Sequence, residues 1–247
     1  AKFGLEVTVY NNCINQGIIK DVMWKRLDHR IEKEEFDVIV VNRGDKFLNF
    51  RKECKKRIFW IHNPAHYLLK YRYLSKLIFK NYKIVFSSNY HLKTYPSWAP
   101  SGERHVIPYG VDELCFKKSK IKIPNNNAIF TSNPMRGLEW VLDKWEHKIF
   151  PECKKSKLII YSGFQTYGDF GKKHSNEISR ILLKAKSLKK KGVIIKKPIS
   201  RQKLFRQIKT SRVFIYQGSN DETFCMSVAE SQTLGVPAVV FDLGCLK

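Results

Sequence analysis

Acidic side chains are scarce in this sequence: 22 Asp and Glu stand against 46 Lys and Arg, a formal net charge of +24 over 247 residues. A chain so charged repels itself unless it meets an anion, and the candidates are nucleic acid, an acidic membrane surface or a phosphorylated substrate. The chain is also rich in Lys, Ile and Asn together, the bias of an AT-rich coding sequence, which needs no anionic partner. No apolar run approaches the ~20 residues that span a bilayer, and none reads as a signal peptide. Paired cysteines are missing as well. Cys13, Cys54, Cys115, Cys153, Cys225 and Cys245 are scattered, with no C-x-x-C and no Cys/His cluster at zinc spacing. They read as small buried hydrophobes of a reducing, cytoplasmic compartment, not as a disulfide framework or a metal site. The phosphate-cradling patterns G-x-x-x-x-G-K-[ST] and G-x-G-x-x-G are absent. Asp169-Phe170-Gly171 spells a kinase magnesium motif, but no H-R-D loop or V-A-I-K lysine accompanies it, so it is coincidence.

What is present is an apolar fraction of 43%, enough for a real core, and a repeated alternation of short apolar runs with helical patterns. In the first half, strands are expected at 6–10, 36–41, 57–62 and 83–88. The run at 36–41 (FDVIVV) is continuous, as in a strand buried on both faces. Between them fall a helix at 20–35 with Val22, Met23, Leu27 and Ile31 inward, and a short helix at 46–55. A helix at 65–81 carries a stripe of Tyr67, Tyr71, Leu74 and Ile78, and a turn or two follow at 89–95. Segment 117–127 (KKSKIKIPNNN) is polar, basic and interrupted by Pro124, a linker composition. The alternation then restarts, with strands at 128–131, 157–161, 193–196, 213–216 and 237–241 and helices at 137–150, 174–190, 200–210 and 223–234. Strands alternating with helices of this length imply parallel sheets covered on both faces. The reading is α/β: a doubly wound domain over 1–117, a linker over 118–127 and a second doubly wound domain over 128–247, facing each other across a cleft. Ligands of such sheets bind beyond the carboxyl ends of the strands.

Two carboxylates stand out in the last strand–helix–strand unit. Glu222 falls in a loop after one strand and Glu230 eight residues on, before Gly235-Val236-Pro237 and the final strand. On one helix they would lie ~12 Å apart along the axis, too far to share one substrate atom. They suit two ends of one ligand, with the amides of Thr223, Phe224 and Cys225 at a helix start favouring a phosphate between them. A carboxylate accepts both hydrogen bonds of a vicinal diol, as a ribose or hexose offers. Alternatively, Glu222 supports the helix start electrostatically and Glu230 is a solvated surface residue.

The run from Glu222-Thr223-Phe224 through Glu230 to Leu234-Gly235-Val236-Pro237 resembles the E-x7-E signature of retaining GT-B glycosyltransferases of group 1, or family 4. His105–Asp112 (HVIPYGVD) is similar to that family's IPNGVD, with Tyr109 where Asn is usual. Segments 130–145, 157–163 and 59–63 fall where the family has comparable stretches. The resemblance implies two Rossmann-like domains and a retaining hexosyltransferase using a nucleotide diphosphate sugar, UDP- or GDP-linked, with no obligatory metal. The acceptor would be a glycan or a lipid-linked glycan. Carried over, Glu222 faces the transferred sugar, Glu230 holds the ribose, and Arg136 neutralises the diphosphate, which a planar guanidinium can grip with two hydrogen bonds. The family's other loop cation is missing, with Thr131 or Ser132 in its place. His62 would lie near sugar or acceptor, Ser162 and Gly163 under the base or ribose, and Pro198 and Ile199 beside the base. The family's glycine-rich first loop and its last helices are not found, so the chain is expected to be cut short at both ends. Two further readings stay open. One is a basic nucleic-acid-binding α/β protein without catalysis, supported by charge and by Tyr67, Tyr71 and Tyr73 among Lys and Arg, though no recognised binding motif appears. The other adds peripheral docking of the first domain on an anionic membrane, to reach a lipid-linked acceptor.

Overall fold

The structure, a computed structural model, describes residues 4–28, 31, 34–43, 45–50, 53–116, 124–163 and 168–246. It begins with a small three-stranded sheet made of β1 (Thr8–Asn11), β2 (Gly17–Ile19) and β3 (Val22–Arg26), ordered β1-β3-β2. β1 and β3 run parallel, whereas β2 and β3 form an antiparallel hairpin. This overturns the helix expected at 20–35. Ile19 pairs with Val22, so the loop has two residues, Lys20 and Asp21, both with positive φ (52° and 61°), as a tight hairpin turn matching strand twist requires.

A second sheet of four parallel strands follows: β4 (Val38–Asn42), β5 (Lys56–Trp60), β6 (Lys83–Phe86) and β7 (Arg104–Val106), side by side in chain order. β4 is an edge strand among the described residues, and Val38 and Val40 are exposed, so the double-sided burial expected from FDVIVV is not found. A 3₁₀ turn at Asp45–Asn49 replaces the expected short helix. The expected helix at 65–81 is broken at Lys70, whose extended ψ of 137° separates a 3₁₀ turn (Ala65–Leu69) from α1 (Tyr71–Lys80). Its inward face carries Tyr73 and Leu77, each one residue before a position of the expected stripe, while Tyr71 and Ile78 face solvent. α2 (Asn89–Lys93) is capped by Ser88, whose hydroxyl accepts the His91 N–H. Phe59, Ile84, Phe86, Leu77 and Tyr82 form the core of this unit.

The third sheet is fully parallel: β8 (Asn125–Phe130), β9 (Lys157–Tyr161), β10 (Val193–Lys196), β11 (Ser211–Ile215) and β12 (Ala238–Val239), ordered β10-β9-β8-β11-β12. The linker expected over 118–127 lies outside the described residues through 123, and its last three residues belong to β8. The helix expected at 137–150 is α3 (Leu138–Lys144), a π turn (Trp145–Ile149) and α4 (Phe150–Glu152), where Pro151 has no N–H to donate. α5 (Gly168–Lys173), α6 (Ser175–Ser187), α7 (Arg201–Lys209) and α8 (Met226–Thr233) complete the unit. Phe130, Phe214 and Trp145 are almost fully buried in its core, and truncating any to Ala would cost about 3–5 kcal/mol. Fold class stands as expected from the sequence: α/β with parallel, doubly wound sheets.

Candidate active site

Strand order fixes where a ligand belongs. In the third sheet the chain steps outward through β8, β9 and β10, then returns to lay β11 on the other side of β8. Loops leaving the carboxyl ends of β8 and β11 therefore diverge and open a crevice between them, the switch point at which doubly wound sheets bind ligands. Arg136 lies in the loop after β8, and Glu222 in the loop after β11. The two loops touch: a Cβ at Gly137, whose φ is +87°, would stand 2.3 Å from Cβ of Gln217, so only glycine fits there.

At the crevice Arg136 donates to Glu222 Oε1 at 2.5 Å. The Tyr216 hydroxyl, one residue past β11, donates to the same oxygen. Glu222 is only 4% exposed, so these donors supply the compensation a buried carboxylate requires. Burial and then the Glu222 charge push the Tyr216 phenol pKa well up, so it stays a donor. Burial and then Glu222 likewise push the Cys225 thiol up to about 11. Among the described residues, no hydrogen bond within the protein reaches Glu222 Oε2.

The helix expected to start at Thr223 starts at Met226 instead. Cys225, with φ 60° and ψ 73°, turns the chain into it, and its carbonyl accepts the N–H groups of Val228 and Ala229. Thr223 and Phe224 are thus loop residues upstream of the first helical turn, and both reach the first half of the molecule. The Thr223 hydroxyl donates to the His62 carbonyl at 2.8 Å, and the Thr223 carbonyl accepts the Ser87 hydroxyl at 3.0 Å. Phe224 meets the Tyr109 ring edge to face at 5.1 Å. The Tyr90 hydroxyl adds a bond to the Asn220 carbonyl at 2.8 Å.

On the facing side, apart from Tyr90 of α2, the contributors lie at or just past the carboxyl ends of strands. Asn42 ends β4, His62 follows β5, Ser87 follows β6 and Tyr109 follows β7. His62 is half-buried, stacked on Tyr109 at 5.3 Å and on Trp60 at 6.2 Å. Its Nδ1 bonds to the Tyr109 hydroxyl, and its Nε2 to Asn42 Oδ1 at 2.5 Å. Burial first, then the charges of Arg43 and His91, push its pKa down to about 4. His91 on α2 is buried, with Nε2 donating to the Asn63 carbonyl at 2.7 Å and Nδ1 accepting the Ser87 N–H at 3.1 Å.

Glu230 is not at the Arg136 cluster. It is buried one turn into α8, at 7% exposure, and ion-paired to Arg201 of α7, so it is not a solvated surface residue. Arg201 also reaches Asp112 at 3.3 Å. Ser162 is buried after β9, and its hydroxyl donates to the Ser132 carbonyl at 3.0 Å. Gly163 lies against Pro198, whose Cδ would be 3.8 Å from an added Cβ; Pro198 and Ile199 are exposed beside it. The structure thus joins Arg136, Glu222, Thr223, Phe224 and His62 into one constellation. It holds the Ser162–Pro198 group at the ends of β9 and β10, and Glu230 apart on α8. Sequence reasoning missed Tyr216, Ser87, His91, Asn42 and Arg201. Their positions at strand ends, or one turn beyond, were the signal available. Among the described residues, no three His, Cys, Asp or Glu side chains stand together as a metal site, and no helix is long and apolar enough to cross a membrane.

No family model matches the sequence, and no curated protein matches it. Solved structures do share the fold. A variant of S. aureus TarM, solved with fondaparinux, alpha-GlcNAc-glycerol and UDP, aligns with a TM-score of 0.60 at 13% identity, over 83% of this chain and 41% of TarM. The pneumococcal O-GlcNAc transferase GtfA, solved with UDP and GlcNAc, gives 0.59 at 15% identity, over 83% and 42%. Sucrose-phosphate synthase from Thermosynechococcus elongatus gives 0.59 at 13% identity, over 85% and 57%. This chain spans about half the length of the proteins it matches. The likeness shows the fold: an α/β architecture of Rossmann-like parallel sheets in the GT-B arrangement of glycosyltransferases.

Proposed function

We propose that this chain is the core of a glycosyltransferase that moves a hexose from a nucleotide diphosphate sugar to an acceptor hydroxyl with retention of configuration. One observation carries the reading: a buried carboxylate, Glu222, is held through one oxygen by Arg136 and Tyr216 at the crevice between β8 and β11. A sugar hydroxyl donating to Oε2 would find an acceptor already fixed in place. Arg136 would serve Glu222 and the diphosphate together, since its guanidinium has five donors in one plane. The loop amides of Thr223 and Phe224 add donors beside it. Glu230, held by Arg201, would accept from the ribose, and Ser162, Gly163, Pro198 and Ile199 would border the nucleoside.

In the proposed step the bond from the anomeric carbon to the leaving phosphate oxygen breaks. The acceptor oxygen forms its bond on the face the leaving group departs from. The acceptor proton passes to a diphosphate oxygen, so the products are glycoside and nucleoside diphosphate. No metal is required by this balance; Arg136 offsets the charge that develops on the leaving group. UDP- and GDP-sugars are the donors proposed, and a glycan or lipid-linked glycan the acceptor. Cytoplasmic location, with the basic first half against anionic lipid, is compatible with that acceptor. The structural neighbours do not favour the nucleic-acid-binding alternative.

The test is calorimetric titration with UDP, GDP, ADP and AMP, followed by assays of donor hydrolysis and transfer. Micromolar binding of one diphosphate, with AMP inert, supports the reading. Glu222→Gln should leave the fold and the diphosphate affinity within about threefold while lowering transfer by roughly 100-fold or more. Unaltered transfer by that variant, or no preference among nucleotides, would overturn it.

A further inference from the structure

His62 lies against the loop carrying Glu222, since its backbone carbonyl accepts the Thr223 hydroxyl. An imidazole so placed invites the role of general base. Its hydrogen bonds argue otherwise. Asn42 Oδ1 can only accept, so His62 Nε2 carries the ring proton and donates. A neutral imidazole then has one lone pair, at Nδ1, and the Tyr109 hydroxyl bonds there. Stacking restricts the ring from turning to free that lone pair, since Trp60 lies 12° and Tyr109 25° from parallel to it. Tyr109 is itself fixed by Phe224, two residues after Glu222.

Resting on the proposed transfer reaction, we propose that Tyr109 is a positioning residue that occupies the Nδ1 lone pair of His62, in the tautomer that Asn42 selects, so that the imidazole enters the site neutral and orients substrate instead of abstracting a proton. The position matters because Tyr109 stands where the sequence pattern IPNGVD would put Asn. An Asn side chain is too short to stack on the imidazole over a full ring face. The charged and titratable groups facing His62 agree with a neutral ring: Arg43 after β4, His91 on α2 and Tyr109 after β7, with no carboxylate among those that perturb it. A substrate hydroxyl can still use the second lone pair of the Tyr109 oxygen, whose proton points into the ring.

The decisive variant is Tyr109→Phe, which keeps both ring contacts and removes only the hydroxyl. With ¹⁵N-labelled histidine, and His62 assigned through His62→Gln, the full chain should show His62 as a single Nε2–H tautomer that titrates below about pH 5. In Tyr109→Phe the Nδ1 lone pair is released, so the Nδ1 resonance moves to that of an unbonded pyridine-type nitrogen while Asn42 keeps the proton on Nε2, and the titration rises only part of the way because burial, Arg43 and His91 still hold it down. In parallel, the acid limb of the transfer pH profile should move up with it, with KM for the donor changing less than about threefold. Identical His62 spectra and titration in Tyr109→Phe and the parent would overturn the proposal. Asn42→Ala provides a second, independent variant should the first fail to fold, and is expected to shift the proton toward Nδ1. The spectroscopic arm needs no turnover. If the parent transfers no sugar while the Nδ1 resonance responds as described, the reaction reading fails and the Tyr109 assignment stands.

Discussion

At the scale of single residues, Arg136 and Glu222 define what the site can tolerate. Glu222 is nearly sealed from solvent, whereas the Arg136 side chain is 48% exposed. Removing the arginine strands a buried charge, while water screens part of what the pair gained. Arg136→Ala should therefore destabilise the fold by about 1–3 kcal/mol, below the 3–5 kcal/mol of a fully buried pair. Urea denaturation measures it. Adding Glu222→Gln to Arg136→Ala should recover at least part of the loss, because the orphaned charge is gone; a double variant less stable than either single one would show that the pair is not coupled in this way. Glu222 and Glu230 were legible from spacing and flanking strands. The identity of their partners was not, because Tyr216 and Arg201 reach them through folding and share no local pattern with them.

At the scale of elements, the loop that carries Glu222 rests on the 3₁₀ turn Gly244–Leu246. The Cys245 N–H donates to the Glu222 carbonyl at 3.0 Å. Gly244 has φ +60°, and a Cβ there would stand 2.7 Å from the Glu222 carbonyl oxygen and 2.9 Å from that of Ser219. Both obstacles are backbone, so neither can rotate away. Gly244→Ala should displace the Glu222 loop, lower the melting temperature and weaken nucleotide binding by about tenfold or more. A calorimetric Kd unchanged from the parent would show that the loop is not supported from below. Strands such as Lys157–Tyr161 and Val193–Lys196 are found where their apolar runs placed them. The hairpin at Lys20-Asp21 was not, because neither residue is the Asn or Gly that marks such a turn, and Val22, Met23 and Leu27 happen to repeat at helical spacing. The exposed edge of β4 was hidden for a related reason: an apolar run reports preference for a strand and not the number of its neighbours.

For the whole molecule, two histidines make acid the condition that loosens the seam between the halves. Burial lowers the pKa of His91 despite its bond to the Asn63 carbonyl, and that of His62 to about 4. Both are neutral in the folded chain and titrate near 6.5 once unfolded. The unfolded chain therefore binds more protons below that value, so stability is complete above pH 6.5 and falls as pH drops toward 4. Urea midpoints should decline between pH 6.5 and 5, before the carboxylates titrate, and the His62→Gln/His91→Gln double variant should flatten that decline. An equally steep slope in the double variant would place the acid sensitivity elsewhere. The α/β alternation and the parallel character of the two larger sheets were within reach of the sequence; their strand order was not. That the halves meet through Ser87, His62 and Thr223 was not, since residues more than 130 positions apart leave no local trace.

The two bonds to Thr223 have a thermodynamic consequence. The residue beside Glu222 gives its hydroxyl to one strand end of the facing half and its carbonyl to another. Whatever steadies this loop from the donor side must then strengthen the grip of the facing half, and by reciprocity that grip must raise affinity on the donor side by the same factor. Two hydroxyl groups, on Ser87 and Thr223, would set the size of that exchange, and the second substrate would find its half of the cleft in register because the first had already bound.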